Sequence, residues 1–390
     1  MIALAEAQAR ILALVKPLPA TQVPLTEASG RWLADVVRAR RTQPARDLSA
    51  MDGYAVRAGD GPDWRVIGES AAGRPFDGTA GRGEAVRIFT GAAMPAGTDA
   101  VLIQENVARM GDVIRQVAGD APVAQRNVRL RGGDFSEGDL LLAAGTRLAP
   151  PQIALAATGG WGSVIVGGRP RVAILATGDE LVPAGTDAGA DRLPESNATM
   201  VAAMLSALGA QTNLLGIAPD RLEAIRTLIE SAEADIIVTI GGASVGDHDL
   251  VRPALEAAGA RLDFWKIAMR PGKPFMAGTL GPAVIAGLPG NPVSTYVTAR
   301  LLVEPVVRAM QGDRFPLPVR EPARLGASLP ANGPRIDHVR GLFGPEGVMP
   351  LGINDSAALS ALARSDLLIV REPDAGPAQP GDAVEIIRLS

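Results

Sequence analysis

The spacing of apolar residues divides the chain into three textures. Leu4, Ala7, Ile11, Leu14 and Val15 fall on one helical stripe, which predicts an amphipathic helix over about residues 1–17. A second helix is expected over about 26–38, and a third at "PPQIALAATG", whose leading prolines suit a first helical turn. Between them the pattern breaks into short apolar runs punctuated by Gly and Pro, as in "AAGRPFDGTAGRGEAVRIFTGAAMPAGTDAVLIQENV". That punctuation predicts an irregular, mostly β lobe at about 45–140, inserted in an N-terminal region of 1–168.

The second texture, 169–312, alternates strand and helix. "RVAILAT" precedes a helix around "NATMVAAMLSALGA", "TNLLGIA" precedes "DRLEAIRTLIESAEA", and "DIIVTIGG" precedes "DLVRPALEAAGA". "PAVIAGLPG" then leads into "NPVSTYVTARLLVEPVVRAM". Apolar runs followed by amphipathic helices predict a parallel sheet covered on both faces. The third texture, 316–390, has short strand candidates among Pro and Gly and ends in "DAVEIIRLS". The expected fold is multidomain α/β and β. It has an N-terminal helical segment with a β-rich lobe, a central doubly wound α/β domain and a small C-terminal β-barrel domain.

Composition narrows the chemistry. A hydrophobic fraction of 47%, a charged fraction of 21% and a net charge of −4 describe a globular chain whose overall field attracts neither nucleic acid nor anionic membrane. With no cysteine and two histidines, thiolate chemistry and a multi-imidazole zinc site are excluded. The first helix lacks a basic leader and is interrupted by Glu6 and Arg10, and no run is long enough for a membrane span, so a cytoplasmic protein is expected.

In an open parallel sheet, ligands bind beyond the carboxyl ends of the strands. The segments placed there are "TGDEL" with Asp179 and Glu180, "GGASVGDHD" with Gly241, Gly242, Ser244, Asp247 and Asp249, and "LPGNPVS" with Pro289, Asn291, Pro292 and Ser294. Glycine backbone and helix starts suit an anion, and Asn291 is placed to cap the helix that Pro292 begins. Carboxylates at Glu180, Asp247 and Asp249 would repel that anion unless a cation lies between, which points to Mg2+.

Lysine sharpens this picture. Of 38 basic residues only Lys16, Lys266 and Lys273 are lysine, and two of the three flank the turn of "FWKIAMRPGKPF". Arginine and lysine are not interchangeable, so a lysine in an arginine-rich chain marks a place where a compact charge is wanted. Lys266, Arg270 and Lys273 are therefore expected to meet phosphate or another oxyanion on the rim. At 4 Å and an effective dielectric near 20 such a contact is worth roughly 4 kcal/mol before desolvation. His248 reads as a polar loop residue, and His338 has no better claim to chemistry.

Together "SAMDGYAV", "IFTGAAMP", "TGDEL", "GGASVGDHD", "FWKIAMRPGKPF" and "GLPGNPVS", in this order along nearly the whole chain, resemble the molybdopterin molybdenumtransferase family. This is the bacterial MoeA type, related to the E-domain of gephyrin. The resemblance implies a homodimer that takes adenylylated molybdopterin and molybdate and, with Mg2+, inserts molybdenum and releases AMP. It also implies transient contact with the molybdopterin adenylyltransferase and with cofactor acceptors. The site it implies lies between the α/β domain of one subunit and the β lobe of the other. Carried over by motif, Asp52, Thr90 and Asp134 face that cleft from the lobe, and Glu180 and Asp249 handle metal or nucleotide. Lys266, Arg270, Lys273 and Ser294 hold phosphate or molybdate, and Arg340 and Ser356 contribute from the C-terminal domain. Two alternatives stand beside this reading: a non-catalytic scaffold on the same fold, and a nucleotide pyrophosphatase using the same α/β unit.

Overall fold

The computed structural model describes residues 1–241, 250–353 and 355–389. Its centre is a six-stranded sheet of β1 (Arg171–Thr177), β2 (Gln211–Ala218), β3 (Ile236–Ile240), β4 (Arg261–Lys266), β5 (Pro274–Leu280) and β6 (Ala283–Leu288). The spatial order is β2-β1-β3-β6-β5-β4. Strands β1, β3 and β6 are buried along almost their whole length, as parallel strands covered on both faces must be. Alternate residues serve the two faces. Val172, Ile174 and Ala176 pack with Val201 and Leu205 of α3 (Asn197–Ala207). On the other face Leu175 and Ile237 pack with α4 (Leu222–Glu230) and α5 (Val251–Ala257).

Strand β5 corrects the expected all-parallel sheet: it is antiparallel to both β4 and β6. Only Gly281 and Pro282 separate β5 from β6. A parallel return needs a crossover of a dozen or more residues, so a two-residue link forces a hairpin.

The N-terminal helix α1 (Leu4–Leu12) joins this same core. Leu4, Ala7 and Ile11 are buried in the cluster that contains β1 and β3. Ile2 extends the edge beside β4: its N–H donates to the Lys266 carbonyl at 2.9 Å, and its carbonyl accepts from Ala268 at 2.8 Å. The helix expected over 26–38 does not form. One 3-10 turn (Leu25–Glu27) is followed by Gly30 at φ 76, and Trp32 and Leu33 bridge to Arg147 and Val166. Pairing with a distant strand overrides the local pattern.

Thr21–Pro24 pairs with Ser163–Val166, so the chain leaves for the lobe and returns, by way of α2 (Pro150–Thr158), at one place. The lobe is a six-stranded sheet built from residues 53–116, with Tyr54, Trp64 and Ile114 at its core. The C-terminal domain is a second six-stranded sheet, and one of its edges is the short strand Met269–Arg270, which pairs with Ile336 and Asp337. The basic turn thus begins inside the sheet of the C-terminal domain and ends as a strand of the α/β domain.

Candidate active site

Two helical connections set the position of the site. Strand β1 runs through α3 to β2 on one side, and α4 then carries the chain back to β3 on the other. The order of connection reverses between β1 and β3, where a crevice opens beyond the strand ends. The loop after β1 holds Asp179 and Glu180, and the loop after β3 begins at Gly241. The two loops touch: Gly241 has φ 90, and a side chain there would come within 2.9 Å of the Thr177 carbonyl and hydroxyl. Only glycine permits that approach. Gly242, Ser244 and Asp249, with Asp247 and His248, lie outside the described residues.

The remaining rim is continuous. Ile240 pairs with Leu288, which puts Pro289, Gly290 and Asn291 beside Gly241. Lys266 pairs with Pro274, which puts Lys273 and Lys266 at the same end of β5 and β4. Both lysines are exposed. With neighbouring strands about 4.8 Å apart, Lys273 is roughly 14 Å and Lys266 roughly 19 Å from the Glu180 loop. Carboxylate and ammonium groups share one edge but stand at opposite ends of it.

Asp179 and Glu180 differ in what they already hold. Asp179 Oδ1 accepts from the Asp220 amide at 3.0 Å. Glu180 is exposed and its carboxylate has no hydrogen-bond partner among the described residues. Between this loop and the edge strand β2 lies a cavity of about 530 Å3, walled by Leu181, Leu214 and Ile217 with Asp179 and Glu195 at its polar side. As for metal, the described residues contain no group of three or more His, Asp or Glu placed to hold an ion. Glu180 is the predicted ligand shown to be available, and Mg2+ commonly takes one or two carboxylates together with substrate phosphates.

The expected cap at Asn291 is corrected. It occupies the N-cap position of α6 (Pro292–Thr298), but its side chain makes no capping bond. Pro292 has no N–H, and the next free amide, Val293, donates to the Ser356 carbonyl at 3.0 Å. The C-terminal domain thus satisfies the group an Asn cap would have served. The Asn291 amide donates instead to Ser356 Oγ at 3.0 Å. Ser294 is buried at the same helix start.

Arg270 is not a free cation. Its Nε donates to Asp337 Oδ2 at 2.9 Å, and its Nη2 donates to the same oxygen. That bond raises the Arg270 pKa despite partial burial. The turn behind it is tight, because Gly272 has φ 96 and a Cβ there would stand 2.3 Å from Thr298 Oγ1. Arg340 is 5% exposed and donates to the carbonyls of Ala358, Ile353 and Asp355. Its first task is to fold the loop that carries Ser356.

The lobe residues form their own group. Asp52 Oδ1 accepts from the Thr90 amide at 2.7 Å and from its hydroxyl at 2.9 Å. These bonds hold the Asp52 carboxyl below the usual carboxylate range, and nearby Arg87 acts in the same direction. Asp134 is exposed, and its amide donates to the Gln43 carbonyl at 3.1 Å. Among the described residues, Asp52, Thr90 and Asp134 share no hydrogen bond with the rim.

The burial of His338 was not legible in the sequence. The residue lies in strand Ile336–Gly344, 2% exposed, against Arg270, Arg340 and Ser356. Only burial sets it apart, and a lone histidine between Asp337 and Val339 carries no pattern that reveals burial.

Comparison with known proteins follows the same division of the chain. Residues 2–160 match the family described as MoeA N-terminal region (domain I and II). Residues 173–309 match "Probable molybdopterin binding domain", and residues 322–389 match MoeA C-terminal region (domain IV). The molybdopterin molybdenumtransferase of Haemophilus influenzae is 35% identical, with 99% of this chain and 98% of that one covered. The protein of the same name from Bacillus subtilis is 32% identical over 94% of this chain and 89% of its own. The crystal structure of the molybdopterin biosynthesis moeA protein from Pyrococcus horikoshii OT3 superposes with a TM-score of 0.85 at 27% identity, covering 100% of both chains. On full-length similarity in sequence and fold, this chain belongs to the MoeA family of molybdopterin molybdenumtransferases, enzymes of molybdenum cofactor biosynthesis.

Proposed function

We propose that the chain inserts molybdenum from molybdate into adenylylated molybdopterin and releases AMP, in a Mg2+-dependent reaction in the cytoplasm. The observation that carries this reading is the two-ended rim: a carboxylate without a partner among the described residues and an apolar cavity at one end, a serine-bearing helix start between, and two lysines at the other end. A substrate in which a heterocycle and a nucleoside flank a diphosphate needs such an extended, electrostatically divided surface. The cavity of about 530 Å3 beside Glu180 is within the usual range for a small-molecule site and suits a planar ring. Lys273 and Lys266 hold the negative charge of the phosphates, and Arg340 and Ser356 hold the oxyanion at the junction with the C-terminal domain. A Mg2+ held by Glu180, with Asp249 as a further ligand, would supply charge neutralisation at the phosphates.

The lobe argues for a homodimer. Within one chain Asp52, Thr90 and Asp134 share no hydrogen bond with the rim among the described residues, and in this reading they complete the site when the lobe of one subunit covers the rim of the other. Purified protein incubated with adenylylated molybdopterin, molybdate and Mg2+ is expected to release AMP, and chelation of Mg2+ to stop it. No AMP above a protein-free control would reject the reading and leave a scaffold role in its place.

A further inference from the structure

The arginines of the lobe and its stem divide by what they hold. Arg65, Arg82, Arg115 and Arg126 meet carboxylates, Arg38, Arg57, Arg87 and Arg109 donate to carbonyls, and Arg40 lies over the Trp161 ring. The side chains of Arg41, Arg46, Arg74, Arg129 and Arg131 are exposed and have no partner among the described residues. These free guanidinium groups gather round one cavity of about 340 Å3. Arg41 and Arg46 line it, with Gln43 between them in sequence. Arg74 leaves a turn closed by two 2.9 Å bonds with Ala71, and it stands between the lining residues Gly73 and Pro75. Arg129 pairs with Leu48 of the wall, and the Arg131 amide donates to Asp47 Oδ1 at 2.7 Å, next to Arg46.

No carboxylate lines the cavity, and the Gln43 side-chain amide has no partner among the described residues. The acids close to these arginines in the chain or through a backbone bond are Asp47, Asp77 and Asp134, too few to offset them. Like charges left together repel, and a concave surface of one sign concentrates counter-ions. Gly73, Gly91 and Ala93 add wall without bulk, so a ligand can enter far enough to meet both lining guanidinium groups. The volume is that of a small-molecule site, whereas a stable protein interface takes about 800 Å2 from each partner. Planar forks of N–H donors match the oxygens of a phosphate in pairs.

We propose that this cavity is an anion site of the lobe itself, in which Arg41 and Arg46 hold a phosphate group of the diphosphate substrate. The site stands on the lobe alone, and only the naming of its ligand rests on the proposed function. Gly91 of the wall follows Thr90, which bonds to Asp52, so a ligand in the cavity lies beside that pair. With the lobe over the rim of a partner subunit, arginines hold the diphosphate from one side and lysines from the other.

Calorimetric titration of the full-length protein with pyrophosphate, with thermal melting of each variant, tests the assignment. Arg41→Gln combined with Arg46→Gln is expected to weaken binding about 10- to 100-fold, the range for losing a hydrogen bond to a charged group. The double variant should melt at the wild-type temperature or higher, since it removes unpaired like charges. Arg41→Lys with Arg46→Lys should recover part of the affinity, because the charge stays and the fork is lost. Arg109→Gln, which lines no part of the cavity, should bind as wild type does. The dependence on Arg41 and Arg46 is expected to persist in a Lys273→Ala background, where the rim is damaged. Wild-type affinity in the double Gln variant would overturn the proposal, as would no pyrophosphate binding by wild type or its complete loss in Lys273→Ala alone. Capture of a polyglutamate peptide by these arginines without pyrophosphate binding would also overturn it, making the cavity part of a protein interface. If pyrophosphate binds through the arginines but adenylylated molybdopterin yields no AMP, the proposed reaction falls and the lobe site stands. If AMP is released and the double Gln variant binds normally, only this inference falls.

Discussion

Lys273 occupies a turn where the shape of the cation matters as much as its charge. The backbone there is held from both sides: its carbonyl accepts from the Ile267 amide at 2.8 Å, and Gly272 is pressed against Thr298. An ammonium on a thin stem can reach a phosphate from this position, whereas a guanidinium would have to turn its plane in the same narrow approach. Lys273→Ala is expected to lower the rate of AMP release by about 10- to 1,000-fold, the scale of losing one donor to developing charge. Lys273→Arg should restore part of it, and full activity in either variant would remove Lys273 from the site. The two rare lysines were legible because composition made them rare. Arg270 looked equivalent in sequence, yet its partner Asp337 lies 67 positions away, so its neutralisation was not legible. Asn291 looked like a cap for the same kind of reason, since the Ser356 carbonyl that displaces it belongs to another domain.

The helix that starts at Pro292 shows how an element can be read correctly in outline and differently in detail. It runs as α6, then a π-helical segment (Ala299–Val303), then α7 (Glu304–Met310). Pro305 has no N–H to give the Leu301 carbonyl, four residues before it, and the Glu304 N–H reaches back to Ala299 in the wider register. Gln8 of α1 donates to the Leu301 carbonyl at 3.1 Å, so the N-terminal helix supplies what the proline withholds. Gln8→Met, which keeps the volume and loses the donor, is expected to cost about 1 kcal/mol in urea unfolding. The loss should shrink in the double variant with Pro305→Ala, which restores an N–H on the helix itself. Equal losses in both backgrounds would detach Gln8 from the proline.

Glu304, at the start of α7, gives the same element a pH signature. Burial raises its pKa, and Arg300, bonded to it at 2.6 Å, opposes the rise without cancelling it. An acid whose folded pKa exceeds its unfolded value of about 4.3 favours the folded state most at low pH. That advantage is lost as pH climbs from the unfolded value through the raised folded one. The stability of wild type relative to Glu304→Gln is therefore expected to fall as pH rises from 4 toward 8, read from urea midpoints. A constant or rising difference would contradict the shift. The pattern of apolar residues revealed the helices and the central strands because burial on two faces imposes a period. It misled at 26–38, where Trp32 and Leu33 are buried by strand-like bridges and not by a helix.

At the scale of the whole molecule, the question is whether one chain contains a complete site. The rim residues belong to the α/β domain and its junction with the C-terminal sheet, while among the described residues Asp52 and Thr90 bond to each other and within their lobe. Motif order along the chain showed that both groups exist, but order in sequence does not say which subunit's lobe serves which rim. A subunit-mixing experiment separates the two arrangements. Asp52→Ala damages the lobe and Lys273→Ala damages the rim, so in the proposed homodimer each variant has two defective sites. If sites form between subunits, a mixed dimer pairs the intact rim of the first variant with the intact lobe of the second, giving one sound site and one doubly damaged one. AMP release is then expected to reappear when the two inactive variants are mixed and allowed to exchange subunits, approaching a quarter of the wild-type rate as a rough limit if exchange is random and sites act independently. If lobe and rim of the same chain work together, every site in the mixture still carries one lesion and activity stays at the level of the separate variants. The second outcome, with exchange verified by differently tagged chains, would rule out a shared site.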